Sequence, residues 1–372
     1  MRIAHFYGHE KANGVTWSIM DVSRLLVERG HDVQIFCRMD SALKAYPRHT
    51  TYLWLGKWHH PWLRAKLRRF LTEQRIDVLN VHSQRDAPFA LQVAREVGVP
   101  TCYSCRELSE TACKFAPLAD RTIAVSVGVG RFVEARYGIH PPVLHVIPNG
   151  VDTATLPCAD RSVLRAESGF RDGEVWIGYL GRIAKNKNVD GLLRAFACVA
   201  PHAPALRLLV IGSGKRLPRM RALARRLQIA DRVRFTGWLP RDAAFRLVGG
   251  LDALTLISHA AEGLSNALLA AMAMGVPVLA TNISSLAGGP LRDDETGWLC
   301  APNDKSIAEG LVRVVAGSDE YRRQLGTAAR REVSRNHRME DAVTRLEAAY
   351  RDAIAAHAGT MVDEHAQLKQ AA

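Results

Sequence analysis

Short runs of apolar and β-branched residues alternate along most of the chain with longer segments in which apolar residues recur at helical spacing. In the first half these runs predict strands at residues 2–6, 33–37, 78–81, 101–104, 123–125 and 145–147. A second series of runs predicts strands at residues 176–180, 206–211, 233–235, 253–256 and 276–280. Because strands separated by helices pair in parallel through βαβ units, the pattern predicts an α/β fold.

A polar, turn-rich segment, residues 148–174, separates the two series and is interpreted as a linker. The predicted domains are residues 1–165 and 170–338, followed by a C-terminal segment, 339–372. In that segment we expect a helix as far as about residue 356 that crosses back to the first domain, and then a frayed tail. Two doubly wound sheets that face each other leave a cleft at the carboxyl ends of their strands, where ligands bind in such folds.

The chain has 372 residues, 48% apolar and 23% charged, which is typical of globular proteins. Its net charge of +13 predicts attraction to nucleic acid, to an acidic membrane surface or to phosphorylated small molecules, and the charge alone does not distinguish among these three partners. The seven cysteines are scattered, as expected of reduced thiols, and the Cys102–Cys105 pair lacks a second pair at zinc spacing. With no signal-peptide core and no apolar run long enough to cross a bilayer, we expect a cytoplasmic protein, soluble or bound to a membrane surface.

Two turns in the second half predict a pocket for a phosphorylated ligand. The first strand there runs into Gly181 and Arg182, and Lys187 follows five residues later. A glycine lets a ligand approach the backbone, and an arginine fork with a lysine charge suits a diphosphate. The second turn contains Gly212 and Gly214, again directly after a predicted strand.

Two further stretches add to this pocket. Trp238 and Leu239 follow the strand at 233–235, where backbone groups can meet a flat base. Glu262, an acceptor for sugar hydroxyls, stands just before the N-terminus of an apolar helix, whose free amides and dipole favour phosphate. The residues at that N-terminus are Gly263, Leu264, Ser265 and Asn266. The alternative is that Glu262 only complements the helix dipole and that the cations are solvated surface charges.

Six segments resemble, in order, the motifs of the GT4 family, which are retaining, nucleotide-sugar-dependent glycosyltransferases with the GT-B fold. The segments are IPNGVD (147–152), GYLGRIAKNKN (178–188), VIGSG (210–214), VRFTGWL (233–239), EGLSNALLAAMAMGVPV (262–278) and DETGWL (294–299). The match is dense from residue 147 to residue 299 and looser before. It implies two facing Rossmann-like domains with a cleft between them and a C-terminal helix.

The resemblance also implies roles for residues of the pocket. Arg182 and Lys187 would neutralise the donor diphosphate as it leaves, and the amides of residues 263–266 would hold it. Glu262 would contact hydroxyls of the transferred sugar, and Gly14 matches the glycine loop that closes on the donor. The chain has no Asp-x-Asp motif, so neither a metal nor a cofactor is expected beside the nucleotide-diphosphate sugar.

Two positions depart from the family pattern. The second glutamate, expected eight residues after Glu262 to hold the ribose, is Ala270. The histidine that many relatives carry after the strand at 101–104 is replaced by Cys105, Arg106 and Glu107. Arg106, Glu107 and His82, which ends another strand, are therefore candidates for the acceptor side.

A tryptophan-rich basic segment, residues 54–70, is the candidate contact with an anionic membrane. Its tryptophans, Trp54, Trp58 and Trp62, precede a helix whose basic residues lie opposite an apolar stripe formed by Leu63, Leu67, Phe70 and Leu71. This pattern favours docking on an acidic surface, and the alternative is an outer helix packed on the sheet. Because relatives with such first domains extend lipid-linked or lipopolysaccharide glycans, and HSQRDA (82–87) is similar to that branch, we expect a glycan or lipid-linked acceptor at the inner face of the membrane.

Three rival functions remain open. A dinucleotide-dependent oxidoreductase would need a GxGxxG turn after the first strand, which the sequence YGHE at 7–10 lacks. A nucleic-acid binder would account for the charge, but the basic residues do not alternate with an RNA-reading aromatic motif. A catalytically weakened GT-B protein, binding nucleotide sugar or glycan as a scaffold partner, is the third, because Ala270 replaces an acid.

Overall fold

The computed structural model describes residues 1–10, 12–52, 61–85, 87–157, 162, 169, 171, 173–259, 262–283, 286 and 288–370, with side chains as far as residue 359. The chain divides into two compact units. Unit 1 comprises Met1–Asn149 and Met339–Ala372, and unit 2 comprises Gly150–Arg338. The boundary that the sequence predicts at residues 165–170 lies largely outside the described residues, as do Trp54 and Trp58.

Each unit contains one parallel sheet. Unit 1 has β1 (Arg2–Tyr7), β2 (Asp32–Arg38), β3 (His49–Tyr52), β4 (Val78–Val81), β5 (Thr101–Cys105), β6 (Arg121–Ala124) and β7 (Leu144–Val146), in the order β3-β2-β1-β4-β5-β6-β7. Unit 2 has β8 (Val175–Leu180), β9 (Leu206–Ile211), β10 (Val233–Gly237), β11 (Ala253–Leu256), β12 (Val278–Thr281) and β13 (Gly297–Cys300), in the order β10-β9-β8-β11-β12-β13. All eleven strands that the sequence predicts are present, and the α/β prediction is confirmed.

Most of the helices connect these strands, the last three follow β13, and apolar clusters that include helical residues cover both faces of each sheet. In chain order they are α1 (Gly14–Glu28), α2 (Pro61–Glu73), α3 (Ala87–Glu96), α4 (Glu110–Cys113), α5 (Val127–Tyr137), α6 (Val189–Val199), α7 (Leu217–Arg226), α8 (Arg241–Gly249), α9 (Asn266–Ala273), α10 (Asp304–Ala316), α11 (Asp319–Asn336) and α12 (Met339–Gln370). Helix α12 extends beyond the end that the sequence predicts near residue 356 and through nearly all of the predicted frayed tail, to Gln370.

Two apolar clusters cover the sheet of unit 1. Alternating side chains send Phe6 and Phe36 into one cluster, with α2 and α3, and Ile3 and Ile35 into the other. Helices α1 and α12 contribute to that second cluster, in which Tyr350 is fully buried. The last helix therefore completes the core of unit 1, although it follows unit 2 in the chain.

The stripe on α2 packs against this core. Its four apolar residues, Leu63, Leu67, Phe70 and Leu71, are all buried in the first cluster. This is the packing of an ordinary outer helix, so the stripe is not a free membrane-facing surface. Trp62 remains 52% exposed, and Arg68 and Arg69 of the same helix are exposed as well. In the described part of the chain, no helix combines the length and apolar character needed to cross a membrane.

Candidate functional site

The sheet of unit 2 has its switch point between β8 and β11. Strands β9 and β10 lie on the side of β8, and β12 and β13 lie on the side of β11. The loops after β8 and β11 therefore leave in different directions, and ligands bind at such a point outside the carboxyl ends of the strands. The loop after β8 carries Gly181, Arg182 and Lys187, and the loop after β11 carries Glu262.

A hydrogen bond joins these two loops. Lys187 Nζ donates to Glu262 Oε1, and the Ser258 hydroxyl donates to the same oxygen at 2.5 Å. Ser258 is itself fixed, because its carbonyl accepts the Thr281 hydroxyl at 2.6 Å. The Glu262 side chain is only 12% exposed, and its Oε2 has no hydrogen-bond donor among the described residues. One carboxylate oxygen is thus used to hold the side chain in place, and the other remains for a ligand.

Arg182 lies in the same loop as Lys187 and has an exposed side chain. Its carbonyl accepts the Tyr179 hydroxyl at 2.9 Å, which ties the turn to β8. Burial, and then the charge of Glu262, raise the pKa of Tyr179, so this phenol stays a neutral donor. The Arg182 guanidinium makes no ion pair with a described residue, and it can therefore turn toward an anion.

The two glycines of the second turn are explained by backbone packing. A Cβ on Gly212 would overlap the Gly181 carbonyl oxygen, and one on Gly214 would overlap the Ile183 carbonyl oxygen. The turns are joined by a hydrogen bond from Ile183 N to Ser213 O at 2.9 Å. Gly212 and Gly214 thus allow the turns after β8 and β9 to pack together, which is a reason for glycine even without a ligand.

Helix α9 begins beside Glu262. Ser265 is its N-cap, and the hydroxyl accepts the Leu268 amide at 3.4 Å. Gly263 and Leu264 are buried, and Asn266 begins the helix. Ala270 is 2% exposed, and none of the residues of this helix carries a carboxylate. After β10, Trp238 is 62% exposed and Leu239 packs on the apolar cluster next to α9.

Unit 1 contains a chain of hydrogen-bonded polar side chains that includes two of the three acceptor-side candidates. Arg106 donates through Nε and Nη2 to His82 Nδ1, at 3.2 and 2.9 Å, and His82 Nε2 lies 2.8 Å from His5 Nδ1. Since arginine only donates, His82 Nδ1 must accept. The proton of His82 is then on Nε2 and is donated to His5, whose own proton is on a buried Nε2 without a partner among the described residues.

Burial keeps both histidines neutral. It lowers the pKa of His5 to about 3, with a smaller contribution from the charge of Arg106. Burial, Arg106 and His5, in that order, lower the pKa of His82 well below its usual range. Burial also lowers the pKa of Arg106, to about 10, which leaves the guanidinium charged at neutral pH.

The remaining two predicted residues are Glu107, next to Arg106 in the chain, and Gly14, on α1. Glu107 is exposed, and its carbonyl accepts a hydrogen bond from the Cys113 thiol at 3.3 Å. Gly14 is the first residue of α1, which Asn13 caps by accepting the Val15 amide at 2.9 Å. His5 was not among the predicted site residues. Its position within the apolar run RIAHFY is the feature of the sequence that could have identified it.

The comparisons with known proteins agree with this architecture. Residues 160–332 match the family described as Glycosyl transferases group 1, and residues 12–155 match Glycosyltransferase Family 4. Anabaena HepE in complex with UDP-glucose has a similar structure, with a TM-score of 0.81, 19% identity, and coverage of 93% of this chain and 98% of that one. At this identity the likeness shows the fold, which is GT-B.

Two curated relatives share more sequence. The D-inositol 3-phosphate glycosyltransferase of Nocardia farcinica is 30% identical over 277 residues, covering 73% of this chain and 60% of that protein. The N-acetyl-alpha-D-glucosaminyl L-malate synthase of Bacillus anthracis is 28% identical over 57% of this chain and 54% of its own length. The chain therefore spans little more than half the length of these relatives. With both of its halves matched and its fold shared, the chain belongs to the GT4 family of glycosyltransferases.

Proposed function

We propose that the protein transfers a sugar, with retention of configuration, from a nucleotide-diphosphate sugar to a glycan or lipid-linked acceptor. The observation that carries this proposal is the pair of loops at the switch point of unit 2, where Lys187 is hydrogen-bonded to Glu262 and Arg182 lies in the same loop as Lys187. Two cations and a helix N-terminus suit a diphosphate, and a fixed carboxylate suits sugar hydroxyls. The UDP-glucose bound by the structural neighbour HepE supports a donor of this class.

Positioned charge carries the chemistry in this proposal. As the bond to the sugar breaks, negative charge grows on the diphosphate, and Lys187 and Arg182 stabilise it there. Glu262 Oε2 accepts hydrogen bonds from hydroxyls of the sugar and so fixes its orientation, while Oε1 is held by Ser258. The leaving diphosphate takes the acceptor proton on the same face, which needs little side-chain acid–base chemistry. Hydrolysis by paired carboxylates is not favoured, because Glu262 is the one acid of this site among the described residues.

The acceptor in this proposal is part of a cell-surface polysaccharide or lipopolysaccharide, and the protein is cytoplasmic and peripheral to the membrane. Because the stripe on α2 is buried, membrane contact rests on Trp62 and on Arg68 and Arg69. We expect binding to vesicles rich in anionic lipid at low salt, weakened by the double substitution Arg68→Glu and Arg69→Glu. An absence of binding at every salt concentration rules out the membrane part.

Donor binding is tested with nucleoside diphosphates and two lysine variants. UDP or GDP is expected to raise the melting temperature, since a ligand of the native state stabilises it. Lys187→Met removes a charge-assisted contact and is expected to weaken binding about tenfold or more. Lys185→Met is the matched control, because Lys185 is exposed in the same turn.

Equal nucleotide affinity in the Lys187→Met and wild-type proteins would show that the diphosphate is not held there. Turnover distinguishes an active transferase from a scaffold protein, the alternative function that the alanine at position 270 suggests. Release of nucleoside diphosphate in the presence of acceptor indicates catalysis. Binding without release indicates a scaffold.

A further inference from the structure

The sheet of unit 1 has its own switch point, between β1 and β4. Strands β2 and β3 lie beyond β1, and β5, β6 and β7 lie beyond β4. His82 directly follows β4 and Arg106 directly follows β5, while Ser18 lies on α1, the helix after β1. These three side chains therefore meet where doubly wound sheets bind ligands.

Arg106 is held there by neutral groups. Its Nε and Nη2 donate to His82 Nδ1, and its Nη1 donates to the Ser18 hydroxyl at 3.3 Å. Within the described residues, no carboxylate forms an ion pair with Arg106. Three of its N–H groups are used in this way, and the two others have no described acceptor.

This arrangement is the exception in unit 1. Among its described residues, every other arginine that is buried or part-buried pairs with a carboxylate. These pairs are Arg24–Glu28, Arg38–Glu10, Arg38–Asp40, Arg64–Glu96 and Arg121–Asp352. A desolvated cation without a counter-charge is unfavourable, so a fold gains nothing from leaving Arg106 in this state.

A neutral imidazole orients a guanidinium without neutralising it, whereas a carboxylate does both. His82 can only accept from Arg106, because its other nitrogen donates to the buried His5. The charge of Arg106 thus stays uncompensated, and its unused N–H groups match the two oxygens of a phosphate or a carboxylate.

We propose that Arg106 binds an anionic group of the acceptor, a phosphate or a carboxylate, and so selects acceptors that carry one. His82 and Ser18 are positioning residues for it. The inference rests on the proposed function, because it presupposes an acceptor. The donor diphosphate is assigned to Lys187 and Arg182 in unit 2, so Arg106 is left for the other substrate.

Inorganic phosphate is the probe, with sodium chloride at equal ionic strength as its reference. The full-length protein is first saturated with whichever of UDP and GDP gives the larger thermal shift, and its melting temperature is then measured against phosphate. We expect Arg106→Gln to weaken phosphate binding at least tenfold. Arg131→Gln, at an exposed arginine of α5, is the matched control and is expected to respond as the wild type does.

Two further measurements separate a binding residue from a structural one. Arg106→Gln is expected to preserve or raise the melting temperature of the free protein, because it removes a desolvated cation. His82→Leu is expected to weaken phosphate binding, and His82→Asn to restore it, because the amide oxygen can accept from Arg106 as Nδ1 does. If Arg106→Gln does not fold, Arg106→Lys keeps the charge without the fork and is expected to bind phosphate more weakly than the wild type.

Two results would overturn the inference. One is an equal phosphate response in wild type and Arg106→Gln, whatever the melting temperature of the free variant. The other is loss of the wild-type response once nucleoside diphosphate is bound, which would assign the anion to the donor. Failure of the proposed function looks different, because then neither UDP nor GDP binds while the Arg106-dependent response to phosphate persists.

Discussion

Acid should destabilise unit 1 in part through His5, and replacement of this residue should remove its share of the effect. The side chain is fully buried, and burial lowers its pKa to about 3. An unfolded histidine takes up a proton near pH 6.5, so below that pH the unfolded state binds a proton that the folded state does not. As the pH decreases from about 6.5 to the pKa of the folded state, the free energy of unfolding therefore decreases by about 1.4 kcal/mol per pH unit.

At pH 5 this loss amounts to about 2 kcal/mol from His5 alone. His82 adds a loss of the same sign, because its pKa is lowered as well. The groups that face His5 are His82, the more distant Arg106 and the Tyr350 ring, 6.4 Å away, and none of them supplies a negative charge at this pH. A carboxylate partner would have opposed the effect.

The variant His5→Asn isolates this contribution. Its side-chain oxygen can accept from His82 Nε2 as Nδ1 does, and it does not titrate. Urea unfolding at pH 7.5 and pH 5.0 gives the loss of stability for each protein, read from the transition that responds to the substitution. We expect the variant to lose about 2 kcal/mol less than the wild type, and His140→Asn, at an exposed position, to follow the wild type. Equal losses in wild type and His5→Asn would refute the assignment of a depressed pKa to His5.

Two predictions concern the stability of unit 2, measured as melting temperature and urea midpoint. In Gly212→Ala, at φ +134°, the new Cβ would overlap the Gly181 carbonyl oxygen, and we expect a loss of stability of about 3 kcal/mol or more. The control is Gly173→Ala, at φ +82° with open space around the Cβ, which is expected to cost about 1–2 kcal/mol. A small cost for Gly212→Ala would contradict the tight packing of the two turns. Arg322→Leu removes a cation that is 6% exposed and donates to the Val314 carbonyl at 2.8 Å, and we expect a loss of stability of about 3 kcal/mol. The control is Arg323→Leu, at an exposed arginine, which is expected to cost less than about 0.5 kcal/mol. Equal effects of the two arginine variants would argue against a buried role for Arg322.

The fold could be predicted from the sequence because nearly all its strands are apolar runs between helical segments. The two missed strands are edge strands, β3 and β13. The sequence of β3 is HTTY, which lacks an apolar run, because an edge strand has a neighbour on one side only. In β13 a glycine precedes Trp298, and the segment is indistinguishable from a loop until the fully buried tryptophan is seen in the core.

The donor-side site could be predicted as a set of residues but not as a set of contacts. Ordered motifs named Lys187 and Glu262, which lie 75 residues apart, and only the parallel order of β8 and β11 brings them into a hydrogen bond. Motif spacing also assigned Gly212 and Gly214 to ligand binding, where the structure gives each a packing role. The hydrogen bond from Arg106 to His82 could not be predicted from the sequence for the same reason, since it joins the ends of two different strands.

Both units have a cation at the switch point of a parallel sheet, but its partner is a carboxylate in unit 2 and a neutral histidine in unit 1. In unit 2 the lysine is paired with Glu262, so in the proposed function the diphosphate shares Lys187 with a carboxylate that is fixed by Ser258. Part of the Coulomb attraction is thereby lost, but the carboxylate is held where sugar hydroxyls can reach it, which favours orientation over tight binding of the leaving nucleotide. In unit 1 the cation is fixed by a neutral histidine and keeps its full charge, which favours selection of an anionic group. A glycosyltransferase must release one charged product and must choose its acceptor, and these two arrangements suit those two needs in turn.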